Sequence, residues 1–239
     1  MQDAGLHPFL AKKAILFDVD GTLVNTNNMV ANGLADAFEK FTGNRPAYDD
    51  MVRLSGMPLR DQMMLFGLPE EGVDERVAYA ITCYEKYHAT NTLFQPTVDA
   101  LLRAHDAGMK IALVTSRNAH ECEELVNQFP VFKHVETIVC STDVAQGKPH
   151  PESAFRACDR LNIPPSDAFF VGDSIYDLGC AHAAGMPCIS VLYGAGTRDV
   201  LEPMSPELLI ETPEDVLATV TEILKSCEKE KTLTPTSRP

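Results

Sequence analysis

The stretch Phe17-Asp18-Val19-Asp20-Gly21-Thr22 decides how this chain reads. It closes Ala14–Phe17, a short run that is continuously apolar rather than alternating. That pattern suits a strand covered on both faces. Two carboxylates two residues apart then stand at the carboxyl end of the strand, where a parallel sheet opens its ligand crevice. If strand geometry continues, both point the same way. Gly21 lets the backbone turn and approach a ligand. One Asp can act as a nucleophile and form an acyl-phosphate. A second carboxyl beside it can protonate a leaving oxygen and later deprotonate water. A plain Asp-x-Asp-Gly turn at a strand end fits the same residues, so the rest of the chain has to choose.

Working outward, the runs 111–115, 137–140, 168–172 and 188–192 repeat the apolar pattern, and 208–210 is a weaker sixth. Helical patterns lie between them, over 97–107, 119–129, 151–161, 175–184 and from Thr212 onward. Thr212-Pro213 opens the last of these as a capping residue followed by a first-turn proline. Strand and helix alternate, which predicts an α/β fold: a Rossmann-like, doubly wound parallel sheet between helices. One interval breaks the rhythm. From Asn25 to Asn91 only helices are legible, over 28–41, 49–54, 58–66 and 73–88. The expectation is a catalytic core of residues 1–24 and 92–226, an inserted all-helical cap of 25–91 with hinges near Asn25 and Asn91–Pro96, and a frayed polar tail over 227–239.

Composition narrows the classes. The 239 residues carry 20 Lys and Arg against 34 Asp and Glu, a net charge of −14. Phosphate-backbone contacts need clustered cations, so nucleic acid is an unsuitable partner. No run approaches the roughly 20 apolar residues that span a bilayer, and Met1–Ala11 does not read as a signal peptide. The seven cysteines fall outside any C-x-x-C spacing, several within apolar runs. They read as reduced, mostly buried thiols of a cytoplasmic protein that associates with no membrane. Oligomeric state is not legible.

The other strand ends carry complementary chemistry. The second ends Val114-Thr115-Ser116-Arg117, offering hydroxyls and turn amides for phosphate oxygens. After the third comes Gly147-Lys148-Pro149, a positive charge in a stiff frame. The fourth ends Gly172-Asp173-Ser174-Ile175-Tyr176-Asp177, two carboxylates that with Asp18 make a hard-oxygen cluster suited to Mg²⁺. Each loop alone is ordinary, since Thr and Ser cap many helices and a loop Lys is usually solvated. Four such loops in this order are not.

These residues resemble the four motifs of the haloacid dehalogenase-like hydrolase superfamily, over about residues 13–225. The match is nearest to the phosphoglycolate phosphatase and β-phosphoglucomutase-like branch, whose helical cap is inserted after the first motif. Gly56-Met57-Pro58-Leu59-Arg60 and Ala183-Ala184-Gly185-Met186 are similar to that branch as well. The resemblance implies Asp18 as nucleophile, Asp20 as general acid and base, and catalytic Thr115 and Lys148. It implies Mg²⁺ on Asp18, the Asp20 carbonyl and Asp173, with Asp177 behind them. Thr115, Ser116 and Lys148 would bind the phosphoryl group, and Arg53, Gly56 and Arg60 are candidate cap contacts. Tyr79, Tyr84 and Tyr87 read as cap core, and no histidine is assigned to catalysis.

The resulting expectation is an Mg²⁺-dependent phosphatase acting on a small phosphorylated metabolite, such as phosphoglycolate or a sugar phosphate. Asp20 argues against a dehalogenase, and the lack of a cap lysine near Gly56 argues against a phosphonatase. A sugar phosphomutase of the β-phosphoglucomutase type often has a His where this chain has Val30. A catalytically silent scaffold would not need the complete set. Asn25 stands where relatives often have Asp.

Overall fold

The computed structural model describes residues 5–55, 57–65 and 69–233. Its sheet has six parallel strands in the order β5-β4-β1-β6-β7-β8. These are β1 (Ala14–Phe17), β4 (Lys110–Val114), β5 (Thr137–Val139), β6 (Ala168–Gly172), β7 (Cys188–Val191) and β8 (Leu208–Ile210). The first strand lies in the middle, and later strands add on one side of it and then on the other. The loops after β1, β4 and β6 therefore part at its carboxyl end, which is where such sheets bind ligands.

Alternation within the strands builds two cores. Ile15, Phe17, Ile111, Leu113, Phe169 and Val171 face helices α5 (Gln95–Asp106) and α10 (Pro213–Leu233). Ala14, Leu16, Ala112, Val114 and Phe170 face α7 (Glu152–Leu161) and α8 (Ile175–Ala183). Both sets are fully buried, as the unbroken apolar runs require. Helix α6 (Ala119–Gln128) starts at Asn118 with a reciprocal capping box to Glu121, and the short α9 (Arg198–Leu201) follows β7.

The interval without strands is built as a separate apolar cluster. Helices α1 (Asn27–Thr42), α2 (Tyr48–Val52), α3 (Leu59–Met64) and α4 (Val73–Tyr87) bury Leu34, Phe38, Met51, Met63 and Cys83 among themselves. Gly33 allows α1 to lie against α4, because a Cβ there would sit 2.3 Å from the Tyr84 ring. The insert joins the core through an antiparallel ribbon, β2 (Val24–Asn25) with β3 (Thr92–Leu93). Neither two-residue strand was legible, because two residues carry no period.

The end of the chain corrects one expectation. Helix α10 continues through Cys227 to Leu233, where a frayed tail was expected. Glu and Lys are good helix formers even after the apolar period fades. Residues 234–239 of that tail lie outside the described residues. Among the described residues no helix is long and apolar enough to cross a membrane.

Candidate active site

The chain turns back on itself immediately after β1. The Asp18 amide donates to Val171 O at 2.9 Å, holding the residue against β6, and the Leu23 and Val24 amides both return to Val19 O at 2.9 Å. Gly21 has φ +84°, and a Cβ on it would lie 2.2 Å from the Asp173 carboxylate. Both facts demand glycine there. Gly194 also meets this carboxylate, again 2.2 Å from a would-be Cβ.

Lys148 is the hub of the cluster. Its ammonium donates to Asp18 Oδ1 at 2.6 Å, to Asp177 Oδ1 at 2.6 Å and to Val114 O at 3.2 Å. All three N–H groups are therefore used. Asp177 lies in the first turn of α8. Its Oδ2 accepts from the Ser174 amide at 3.0 Å and the Ser174 hydroxyl at 2.5 Å, so both its oxygens are engaged. Asp173 precedes the helix, because Ser174 is the N-cap. The Asp173 carboxylate accepts from the Ala195 amide at 2.7 Å and from Thr22 Oγ1 at 3.3 Å.

Thr115 is buried at the end of β4, and its hydroxyl accepts from the Arg117 amide at 3.1 Å. Ser116 is exposed beside it. Arg117 is the residue that sequence reasoning missed. Its guanidinium is only 8 % exposed and grips Asp20 with two bonds, Nε to Oδ2 at 2.9 Å and Nη2 to Oδ1 at 2.7 Å. The two residues lie 97 apart in sequence, and only the β1–β4 pairing brings them together.

Burial and crowding set the charge states. Burial pushes the Asp18 carboxyl well above its usual range, and Asp177 adds to this against a partial offset from Lys148. Burial and Asp177 likewise push Asp173 up to about 7. Burial would raise Asp20 too, but the Arg117 guanidinium outweighs it and holds the carboxyl below its usual value. Burial opposes charge on Lys148, yet Asp177 and Asp18 overcome that and raise its pKa. Asp18, Asp173 and Asp177 present oxygens within 4.8 Å of one another. With Asp20, four carboxylates face two cations, Lys148 and Arg117. A buried excess of negative charge is costly. An all-oxygen donor set of this charge fits a hard divalent cation.

A cavity of about 280 Å³ opens over Asp18 and Asp20 between core and insert. Ser116 and Arg117 line it from the core, and Gln62 and Tyr84 from the insert. Tyr84, expected in the cap core, packs there and also reaches this cavity, where its hydroxyl donates to Gln62 Oε1 at 3.2 Å. The expected arginine contacts do not converge on it. Arg53 lines a different cavity, of about 360 Å³, with Ser174, Thr197 and Asp199. Arg60 is exposed, pairs with Asp74 of α4 and lines neither cavity. Gly56 lies outside the described residues.

Residues 15–191 match the model of the haloacid dehalogenase-like hydrolases. The chain belongs to that family. It is 29 % identical over 208 residues to a phosphoglycolate phosphatase of Pseudomonas fluorescens, covering 83 % of this chain and 76 % of that protein. It is 26 % identical over 205 residues to pyrophosphatase PpaX of Anoxybacillus flavithermus, covering 85 % and 94 %. Among solved structures, a haloacid dehalogenase-like hydrolase of Streptococcus pneumoniae shares the fold with a TM-score of 0.78 at 21 % identity, over 87 % of this chain and 98 % of that one.

Proposed function

We propose that this hydrolase is an Mg²⁺-dependent phosphatase that cleaves a small organic phosphomonoester through an aspartyl-phosphate on Asp18. The observation that carries the reading is the buried Lys148 ammonium, held 2.6 Å from Asp18, which itself lines the cavity. It offsets charge where an anionic nucleophile would otherwise repel a phosphate, and phosphoryl transfer depends mostly on positioning and charge stabilisation.

Each residue then has a task. Asp18 attacks phosphorus with the carboxylate oxygen that Lys148 does not hold. Asp20 would give a proton to the leaving oxygen and take one from the attacking water, which requires its carboxyl to come out of the two-bond Arg117 grip that keeps it ionised. Thr115 and Ser116 supply donors for the phosphoryl oxygens, and Asp177 fixes Lys148. Asp18, Asp173 and the Asp20 carbonyl would hold Mg²⁺, whose contribution is to neutralise charge building on the phosphoryl oxygens. The helical insert would act as a lid that excludes water and selects the leaving group. Phosphoglycolate, a sugar phosphate and pyrophosphate all belong on the substrate panel, the first and last because of the relatives' names. Val30 lines the cavity as an apolar residue, which favours hydrolysis over a sugar mutase.

The test is p-nitrophenyl phosphate hydrolysis with and without Mg²⁺. Turnover should require the metal and fall on the order of a thousandfold or more in Asp18→Asn, as expected for loss of a nucleophile. Retention of most activity in that variant would remove the covalent mechanism.

A further inference from the structure

Cys122 lies in the first turn of α6, and Cys140 follows β5 directly. Their sulfurs are 3.1 Å apart, closer than the 3.4–3.9 Å of the other sulfur hydrogen bonds among the described residues. Both side chains are buried, yet both line an open hollow of about 440 Å³ with Ala119, Glu123, Val126 and Ile138. That hollow has none of the residues named above as catalytic, so a small reagent can reach the pair without entering the reaction cavity.

The pair is also tied to the catalytic loop. The Ser141 amide, next to Cys140, donates to Arg117 O at 2.8 Å, and the Thr115 amide donates to Val139 O at 3.0 Å. Asn118, which caps α6, follows Arg117 directly. A pull between α6 and the end of β5 therefore acts on the segment that carries Thr115, Ser116 and Arg117.

We infer that Cys122 and Cys140 are a reversible oxidation site whose disulfide displaces this catalytic loop. The oxidant is a low-molecular-weight disulfide. One protein thiolate attacks it, forming a mixed disulfide and expelling one small thiolate. The second protein thiolate attacks the protein sulfur of that intermediate and expels the other. Two protein S–H bonds and one external S–S bond are thereby exchanged for one protein S–S bond and two small thiols. Closing the sulfurs from 3.1 Å to a bond of about 2.05 Å leaves about 1 Å to be taken up by the two side chains and the segments that carry them, of which the loop is one. Burial raises both thiol pKa values, so the reaction is slow near neutrality and speeds as pH rises.

The experiment uses the full chain carrying Cys227→Ser, because Cys227 is partly exposed. The protein is incubated with oxidised glutathione at about pH 8, where thiolate fractions rise. Peptide mass mapping then reads the cross-link, and Mg²⁺-dependent p-nitrophenyl phosphate hydrolysis reads the effect. The expected result is a Cys122–Cys140 cross-link with activity down by up to about a hundredfold, the scale of a 1 Å misplacement. Dithiothreitol should reverse both. Adding Cys140→Ser should keep the reduced-state rate under the same oxidant. Persistence of both thiols in the folded protein, or a cross-link with unchanged rate, overturns the inference. Absence of hydrolysis in the reduced protein would instead overturn the phosphatase reading, while the mass map and the melting temperature still decide the disulfide.

Discussion

In the strand-end cluster, Lys148 bridges Asp18 and Asp177 with side chains that are 5 %, 7 % and 1 % exposed. In the helical insert, Arg60 meets Asp74 with side chains 52 % and 88 % exposed, and Arg45 joins Asp36 and Glu39 at the surface. The two regions contain the same kinds of ion pair under opposite solvation. Removing one member of a buried pair leaves an uncompensated charge and costs about 3–5 kcal/mol. An exposed pair contributes about 0–1 kcal/mol. The core thus uses charge to build a site, and the insert uses it to dress a surface.

That contrast breaks most readily at Lys148. Lys148→Met should lower stability by about 3–5 kcal/mol in urea titrations without Mg²⁺. A loss under about 1 kcal/mol would mean that water already screens the cluster. Metal binding is the next probe. Mg²⁺ at a hundredfold excess over its dissociation constant should stabilise the wild type by about 2.7 kcal/mol. The same Mg²⁺ concentration should raise the melting temperature of Asp173→Asn far less. An equal rise in both would place the metal elsewhere.

Part of the buried polar cluster was legible because Asp18, Thr115 and Asp173 each directly follow an apolar strand. Asp20 comes in the turn after Asp18, and Lys148 stands well beyond β5 in the loop before α7, where its Gly147–Pro149 frame drew attention to it. Arg117 was printed in the same Thr115-Ser116-Arg117 loop, but its meaning rests on a partner 97 residues away. Nothing local distinguishes a guanidinium that crosses a crevice from one in solvent. Arg60 shows the converse. It reads as a candidate substrate contact, and in this structure it pairs with Asp74 on another helix, 14 residues on. Pairing between helices of an insert follows from their packing, which periodicity does not specify. The ribbon of β2 and β3 was too short to show a pattern, although the hinges around Asn25 and Asn91–Pro96 fall beside it.

Arg117→Lys sharpens the comparison inside the core itself. A lysine keeps the charge but cannot make the two-pronged grip on Asp20. Turnover should fall by about tenfold, a modest misplacement of a reacting group, with little change in melting temperature. Unchanged turnover would show that charge alone suffices. Arg60→Ala should do least, staying within about 0.5 kcal/mol in stability and leaving kcat/KM for p-nitrophenyl phosphate essentially unaltered. A large rise in KM would mean that the insert brings Arg60 to the substrate on closing.

The β2–β3 ribbon bears on how the chain reaches this structure. Val24 pairs with Leu93 and Asn25 with Thr92, so the polypeptide leaves the sheet and returns to it at one point. Strand β1 must find β4 across everything between them, and the entropy of closing such a loop grows only as the logarithm of its length. A ribbon formed early shortens the effective search for β1 and β4, whether or not the helices between are folded. Lengthening the insert at an exposed turn should then leave the folding rate of the sheet almost unchanged, whereas unpairing the ribbon should slow it.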